Sequence, residues 1–222
     1  MSIAAPPPAP PANRESDTIV LHGVSWELYE QLLHEINNHR LRHSYSDGIL
    51  EIMVISYGHE RPKSIITRLI ETFTEELDIP LISAGNTTLK SQLKEKGLEP
   101  DECYYVAHAE QMVGRTELDI ETDPPPDLSI EIDITRTVLN RLDIYAALGV
   151  PEIWRYHKGQ LEVFVLDEEG YVSRQESRAF PFLPLDELSA FLETGQKLTD
   201  TERVKQFRRW VRERFTDRLP AE

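Results

Sequence analysis

The chain holds little with which to build covalent or membrane-bound structure. A single cysteine, Cys103, excludes an internal disulfide and fits a reducing compartment. Cys103 lies in an apolar run and reads as a buried thiol, not a nucleophile. No run of residues is long and apolar enough to span a bilayer, and the N-terminal residues lack the basic start and apolar core of a secretory leader. The expectation is therefore a cytoplasmic protein with no membrane contact. Basic residues are also scarce, 24 Lys and Arg against 39 Asp and Glu, for a formal net charge of -15. Such a charge opposes nonspecific attraction to nucleic acid, which normally draws on a basic surface.

What is present points to one substantial domain, because 222 residues suffice to bury a real core. Residues 1–13 are rich in alanine and proline with no apolar periodicity, and predict a disordered or polyproline tail. Ser25 suits the N-cap of a helix that carries Trp26, Tyr29, Leu32, Leu33 and Ile36 on one side. A hairpin follows, with Arg42 to Tyr45 and Ile49 to Ile55 as strands around Ser46-Asp47-Gly48. From Glu60 to Leu77 the apolar residues recur at helical spacing, which predicts a long amphipathic helix packed on the hairpin sheet. Further strands are expected at Leu81 to Ser83, Thr87 to Lys90, Glu102 to Val106, Glu152 to His157, Gln160 to Leu166 and Tyr171 to Arg174. Helices are expected from Asn140 to Leu148, ending at Gly149, and from Leu185 to Glu193 and Asp200 to Arg218. The chain thus divides into the tail, a domain over residues 14–198, and an amphipathic C-terminal helix over residues 199–222.

The most telling stretch runs from Asp127 to Ile134, which starts directly after three prolines and alternates at the period of a strand. Leu128, Ile130, Ile132 and Ile134 point one way; Ser129, Glu131 and Asp133 point the other. Unpaired carboxylates in so aliphatic a strand cost several kcal/mol each, unless a cation or a proton offsets them. A hard divalent ion such as Mg2+ prefers oxygen ligands, so the strand reads as one wall of a metal site. Glu51, within Ile-Leu-Glu-Ile-Met, and Asp101, after Pro100, offer further carboxylates in apolar surroundings. Their convergence is what a metal-dependent phosphodiesterase needs; solvated strand ends and structural ion pairs give the same pattern.

The order of these segments adds to the reading. Asp47-Gly48-Ile49-Leu50-Glu51-Ile52-Met53 comes first, then His59, Pro100-Asp101, Pro126-Asp127-Leu128-Ser129-Ile130-Glu131 and Tyr145-Ala146-Ala147-Leu148-Gly149-Val150-Pro151-Glu152-Ile153-Trp154. Together they resemble the Uma-type restriction endonuclease family, a branch of the PD-(D/E)XK nuclease superfamily, over the span from Trp26 to Leu188. The resemblance implies an α/β (α+β) protein with a restriction-endonuclease-like core, a central mixed β-sheet flanked by helices. It also implies Mg2+-dependent, or Mn2+-dependent, cleavage of DNA. By that pattern Glu51, Asp101 and Glu131 would be metal-site residues; Asp133, on the same strand, offers a carboxylate as a candidate further ligand. The chain departs from the superfamily two positions after Glu131, where Asp133 replaces a lysine, and no lysine occurs between Lys96 and Lys158. The basic residue on the following helix is Arg141, suited to stabilising a charged phosphate and poorly suited to being a general base.

Several residues carry two readings. His59 suits a phosphate contact or water activation, and equally a loop or capping role at the start of the long helix. Asp127, at a strand entrance, suits a turn. Tyr145, one turn after Arg141, either shares its face and bonds into the site or packs in the core. The C-terminal helix carries an apolar stripe of Val204, Phe207, Val211 and Phe215, suited to packing or to a homodimer, with most of its arginines solvated. The nuclease reading stands beside two others: a degenerate nuclease fold that serves as a binding or assembly module, and a hydrolase of a small phosphorylated substrate.

Overall fold

The computed structural model describes residues 18–35, 41–54, 57–132, 137–157, 159–193 and 198–220. The N-terminal tail, Asp133 and Ile134 lie outside the described residues. In chain order the elements are β1 (Thr18–His22), α1 (Trp26–Glu35), β2 (Leu41–Ser46), β3 (Ile49–Val54), α2 (Tyr57–Glu76), β4 (Ile82–Gly85), β5 (Leu89–Ser91), β6 (Lys96–Leu98) and β7 (Glu102–Tyr105). There follow α3 (Ala109–Met112), β8 (Leu128–Ile132), α4 (Arg141–Leu148), β9 (Glu152–His157), β10 (Gln160–Asp167), β11 (Gly170–Arg174), α5 (Leu185–Glu193) and α6 (Asp200–Arg214). A 3-10 turn over Thr216–Arg218 closes the described chain. The class is α+β, consistent with a restriction-endonuclease-like fold.

The central mixed sheet flanked by helices is present, and a second, antiparallel sheet stands beside it. The antiparallel sheet has the order β1-β3-β2-β6-β5; the mixed sheet has the order β11-β10-β9-β8-β7-β4. Among the described strands only β8 and β9 pair in parallel, joined by α4. Such a parallel pair requires a crossover, and a helix is its usual form.

Local chemistry explains most boundaries. The β2–β3 hairpin turns at Asp47 and Gly48, both at positive φ (47° and 82°), which is the backbone that two-residue hairpins favour. The α4 helix starts at its N-cap, Asn140, whose side chain accepts from Leu142 N, and stops at Gly149 in the left-handed conformation (φ 81°). Thr199 and Glu202 form a reciprocal capping box ahead of α6.

The largest core lies on one face of the mixed sheet. Ile65, Ile66, Leu69, Ile70 and Phe73 of α2 pack with Leu128, Ile130 and Ile132 of β8, with Trp154 of β9, and with residues of α5 and α6. Each fully buried side chain of this kind contributes about 1.5–3 kcal/mol. The long helix therefore lies on the mixed sheet, not on the hairpin sheet where it was expected, because periodicity marks the buried face of a helix and says nothing of what covers it. Phe207, Val211 and Phe215 of the C-terminal stripe join this same core, with Val204 partly buried against it. Arg208 and Arg212 pair with Glu75 and Glu76 of α2.

The hairpin sheet is covered by α1, where Tyr29 stacks on Tyr45 at 4.5 Å and Trp26 meets both edge-on. Gly97 of β6 lies beneath Tyr29; a Cβ there would stand 2.3 Å from the phenol oxygen. Between the sheets sits α4, whose Ile144, Tyr145 and Leu148 pack on Leu89 and Leu98 of one sheet and Ile153 of the other.

Candidate active site where the sheets meet

The alternation in β8 does what its pattern predicts. Leu128, Ile130 and Ile132 enter the α2 core, so Glu131 faces the other side, toward α4. Arg141 and Tyr145 lie one helical turn apart and reach the same carboxylate. Arg141 grips it with two parallel bonds, Nη2 to Oε1 at 2.6 Å and Nε to Oε2 at 3.1 Å, while the Tyr145 hydroxyl donates to Oε1. This fork-to-fork geometry is the strong form of a charge-assisted pair. Arg141 also donates from Nη1 to Ser44 Oγ (2.6 Å) and from Nη2 to the Glu99 carbonyl (2.7 Å), which ties α4 to the hairpin sheet. Tyr145 fulfils both of its readings, its ring in the core and its hydroxyl in the site.

Asp101 stands beside this pair and is buried. Its Oδ2 accepts the Ile132 amide at 2.7 Å and meets His59 Nε2 at 3.1 Å; its Oδ1 lies 3.8 Å from Arg42 Nε. The His59 approach is an ion-pair contact whose alignment falls short of a full hydrogen bond. His59 sits in the first turn of α2, as its helix-entry reading has it, and from there meets Asp101 without lining the cavity that Asp101 shares with Glu131.

These charges shift one another. Burial raises the Asp101 carboxyl, yet His59, the Ile132 amide and Arg141 together outweigh burial and hold it below its ordinary value. Burial alone lowers His59, and the Asp101 carboxylate reverses that and holds it above its ordinary value. Burial pushes the Glu131 carboxyl up, Arg141 pulls it down, and the nearby Asp101 charge adds to the upward push, which wins. Burial opposes the charge on Arg141 as well, but Glu131 outweighs it and raises that guanidinium further. The upward shifts of the two partners point opposite ways for an ion pair; the bidentate geometry decides in favour of carboxylate and guanidinium.

Asp101, Glu131, Arg42, Asn140, Arg141 and Tyr145 line one cavity of about 110 Å³. Glu51 does not line it. Its Oε2 accepts the amides of Val138 and Leu139, at 2.5 and 3.3 Å, and so fixes the chain that enters α4. Ser44, which anchors Arg141, is the cross-strand partner of Glu51. Asp127 is a turn residue, with Oδ2 accepting the amides of Val106 and His108 and Oδ1 2.6 Å from His108 Nδ1. Cys103 is buried, and burial pushes its thiol upward, away from reactivity. The anchors Ser44 and the Glu99 carbonyl escaped sequence reasoning, since a strand serine or a backbone carbonyl carries no signal of the helix it meets, and Arg42, a candidate DNA-groove residue by sequence, lies beside Asp101.

Among the described residues no group of three or more His, Cys, Asp or Glu side chains is placed to hold a metal. Asp133 lies outside them. Two carboxylates on one cavity nevertheless fit Mg2+ chemistry, because Mg2+ is commonly held by one or two carboxylates with water and substrate phosphate in its remaining positions. The basic residues that a nucleic-acid groove would use are largely matched by acids: Arg61 with Asp200, Lys63 with Glu102, Arg214 with Glu187.

The sequence pattern of the Uma2 family, described as putative restriction endonucleases, matches residues 26–200. The chain belongs to that family, and the order of elements around Glu131 and Asp101 is the frame in which the match lies. No curated protein matches the chain. Among the described residues no helix is long and apolar enough to cross a membrane.

Proposed function

We propose that this cavity is the active site of a divalent-metal-dependent endonuclease that hydrolyses phosphodiester bonds in DNA. The observation that carries the proposal is the meeting of a buried carboxylate, Asp101, and a half-buried one, Glu131, with the Arg141 guanidinium on one small cavity in a chain of the Uma2 family. Asp101 and Glu131 would hold the ion, Mg2+ or Mn2+, with Asp133 as a further ligand. Once bound, such an ion orients the phosphate as a Lewis acid and lowers the pKa of the attacking water. The chain's own groups supply the rest. Four of the five N–H groups of Arg141 have protein acceptors, on Nε, Nη1 and Nη2. The fifth, on Nη1, has no acceptor among the described residues and would serve a phosphate oxygen whose charge grows in the transition state. His59, whose imidazole the Asp101 carboxylate makes more basic against the effect of burial, stands behind Asp101 and would position and tune that carboxylate. Glu51 serves by fixing the entry to α4, and so the aim of Arg141.

The test is incubation with supercoiled, linear and single-stranded DNA in Mg2+ or Mn2+. Cleavage is expected, and is expected to stop with a chelator or with Asp101→Asn or Glu131→Gln. Cleavage that survives both substitutions sinks the assigned site. A binding or assembly module is the second reading, favoured by the occupation of both Glu131 oxygens by Arg141 and by the net charge of -15. It predicts no cleavage and no heat of Mg2+ binding at millimolar concentration.

A further inference from the structure

A second cavity, of about 520 Å³, opens on the opposite face of the mixed sheet from Glu131. Its floor is Tyr156 of β9, and its walls come from the start of α2, the end of α5 and the start of α6. Two arginines line it, Arg61 and Arg203, in a molecule whose overall charge is strongly negative. Arg61 is half-exposed and has a carboxylate partner, Asp200, at 3.2 Å. Arg203 is only 4 % exposed, and its Nε, shielded from solvent, has no hydrogen-bond partner among the described residues.

A buried guanidinium with no ion pair of its own among the described residues is costly even with a carboxylate such as Asp200 in the neighbourhood, and the cost grows where a like charge stands close. Burial lowers the pKa of Arg203, and the neighbouring Arg61 lowers it further, although Asp200 pulls the other way. Nothing in the α2 core requires an arginine at this place, since Ile65, Pro62 and Leu192 beside it would accept an aliphatic side chain. The guanidinium fork matches planar carboxylate or phosphate oxygens. The cavity falls within the roughly 300–1,000 Å³ of small-molecule sites, and its walls mix apolar side chains with few polar ones, as such sites do. Glu193, exposed at the rim, stands against entry of a polyanion strand.

We infer that this cavity binds a small organic anion, its carboxylate or phosphate on Arg203 and Arg61 and its apolar body along Ile65, Leu192 and Tyr156. The inference is independent of the nuclease reading, because no residue is shared between the two cavities.

Calorimetry and thermal melting of the full chain with adenosine 5′-monophosphate, benzoate, inorganic phosphate and neutral adenosine test it. At least one of the two organic anions should bind more tightly than inorganic phosphate and adenosine, and should raise the melting temperature. Which of them binds identifies phosphate or carboxylate as the recognised group. Arg203→Met should weaken that binding by about ten- to a hundredfold, the loss of a charged hydrogen bond. Without ligand it should melt no lower than the parent, since it removes an unpaired buried charge. Arg61→Gln, at a half-exposed position, is the second variant should the first fail to fold, and should weaken binding in the same direction. The inference is overturned if neither organic anion binds at about 10 mM, a concentration that reveals even a Kd near 1 mM. It is equally overturned if adenosine or inorganic phosphate binds as well as the organic anions, or if binding survives unchanged in the folded variants.

Discussion

Glu131 and Glu152 stand on neighbouring parallel strands and point to opposite faces of one sheet, Glu152 fully buried and Glu131 half-buried. They are satisfied by different chemistry. Glu152 accepts Trp154 Nε1 at 2.5 Å and the amides of Arg178 and Ala179 at 2.7 Å each, all neutral donors held in place by the fold. Glu131 is held by a guanidinium and a phenol on one helix, at the wall of a cavity. Neutral donors on a fixed backbone make a clasp that ties the segment before α5 to β9 and nothing more. A charged donor on a side chain makes a pair that an incoming cation or anion can compete with. Burial of a carboxylate is thus weak evidence of chemistry; the nature of its partner, and whether space adjoins it, separates the two.

The sharpest way to break this contrast is through activity. Glu131→Gln and Asp101→Asn should each lower Mg2+-dependent DNA cleavage by about 10²–10³-fold or more, as loss of a group that stabilises transition-state charge does. Glu152→Gln should leave the rate within about twofold, because its acceptor oxygen serves structure alone. A gel assay at saturating DNA reads both; equal losses at the two glutamates would erase the distinction.

Stability gives the next largest effects. Arg141→Met leaves the half-buried Glu131 without its cation and should cost about 2–3 kcal/mol in urea unfolding. Adding Glu131→Gln to it should recover much of that loss, a coupling that a double-mutant cycle measures. Glu152→Ala should cost about 3 kcal/mol or more, since each orphaned donor costs roughly 1–3 kcal/mol. No second substitution at a single partner should rescue it, because its donors are spread over Trp154, Ser177 and two backbone amides. Tyr145→Phe should cost only about 1 kcal/mol.

The smallest effect is in pH. Burial pushes the Glu152 carboxyl above its ordinary value, against the pull of its hydrogen bonds. A raised folded pKa means that the folded chain holds this proton more tightly than the unfolded chain. The group's contribution is therefore fully present below the ordinary carboxylate value and is lost as pH rises through the raised folded value. Glu152→Gln should flatten the unfolding free energy across that window; an unchanged slope would show that the hydrogen bonds offset burial completely.

Much of this was legible in the chain. The alternation around Glu131 fixed both its strand and its face, Asn140 and Gly149 bounded α4, and helical spacing put Arg141 beside Tyr145. Glu152 was invisible as a clasp because its donors lie 26 and 27 residues onward, in a segment with no periodicity to mark it. The place of Glu51 was likewise hidden. A carboxylate in an apolar strand advertises only that it needs a partner, and two backbone amides satisfy that need with no trace in the side-chain sequence. The strands β1 and β6 also went unread; β6 has only three residues, and both depend on their neighbours for pairing.

The two caps of α4 carry a consequence for variation in this region. Asn140 and Gly149 pin a helix of eight residues at both ends, so its rotation about its axis is set before any side chain reaches across to β8. One residue added between Asn140 and Arg141 would turn Arg141 and Tyr145 by about 100° together and carry both off the Glu131 carboxylate. The caps act as a phase reference: substitutions along α4 change the strength of the grip, whereas a change in length removes it at a stroke.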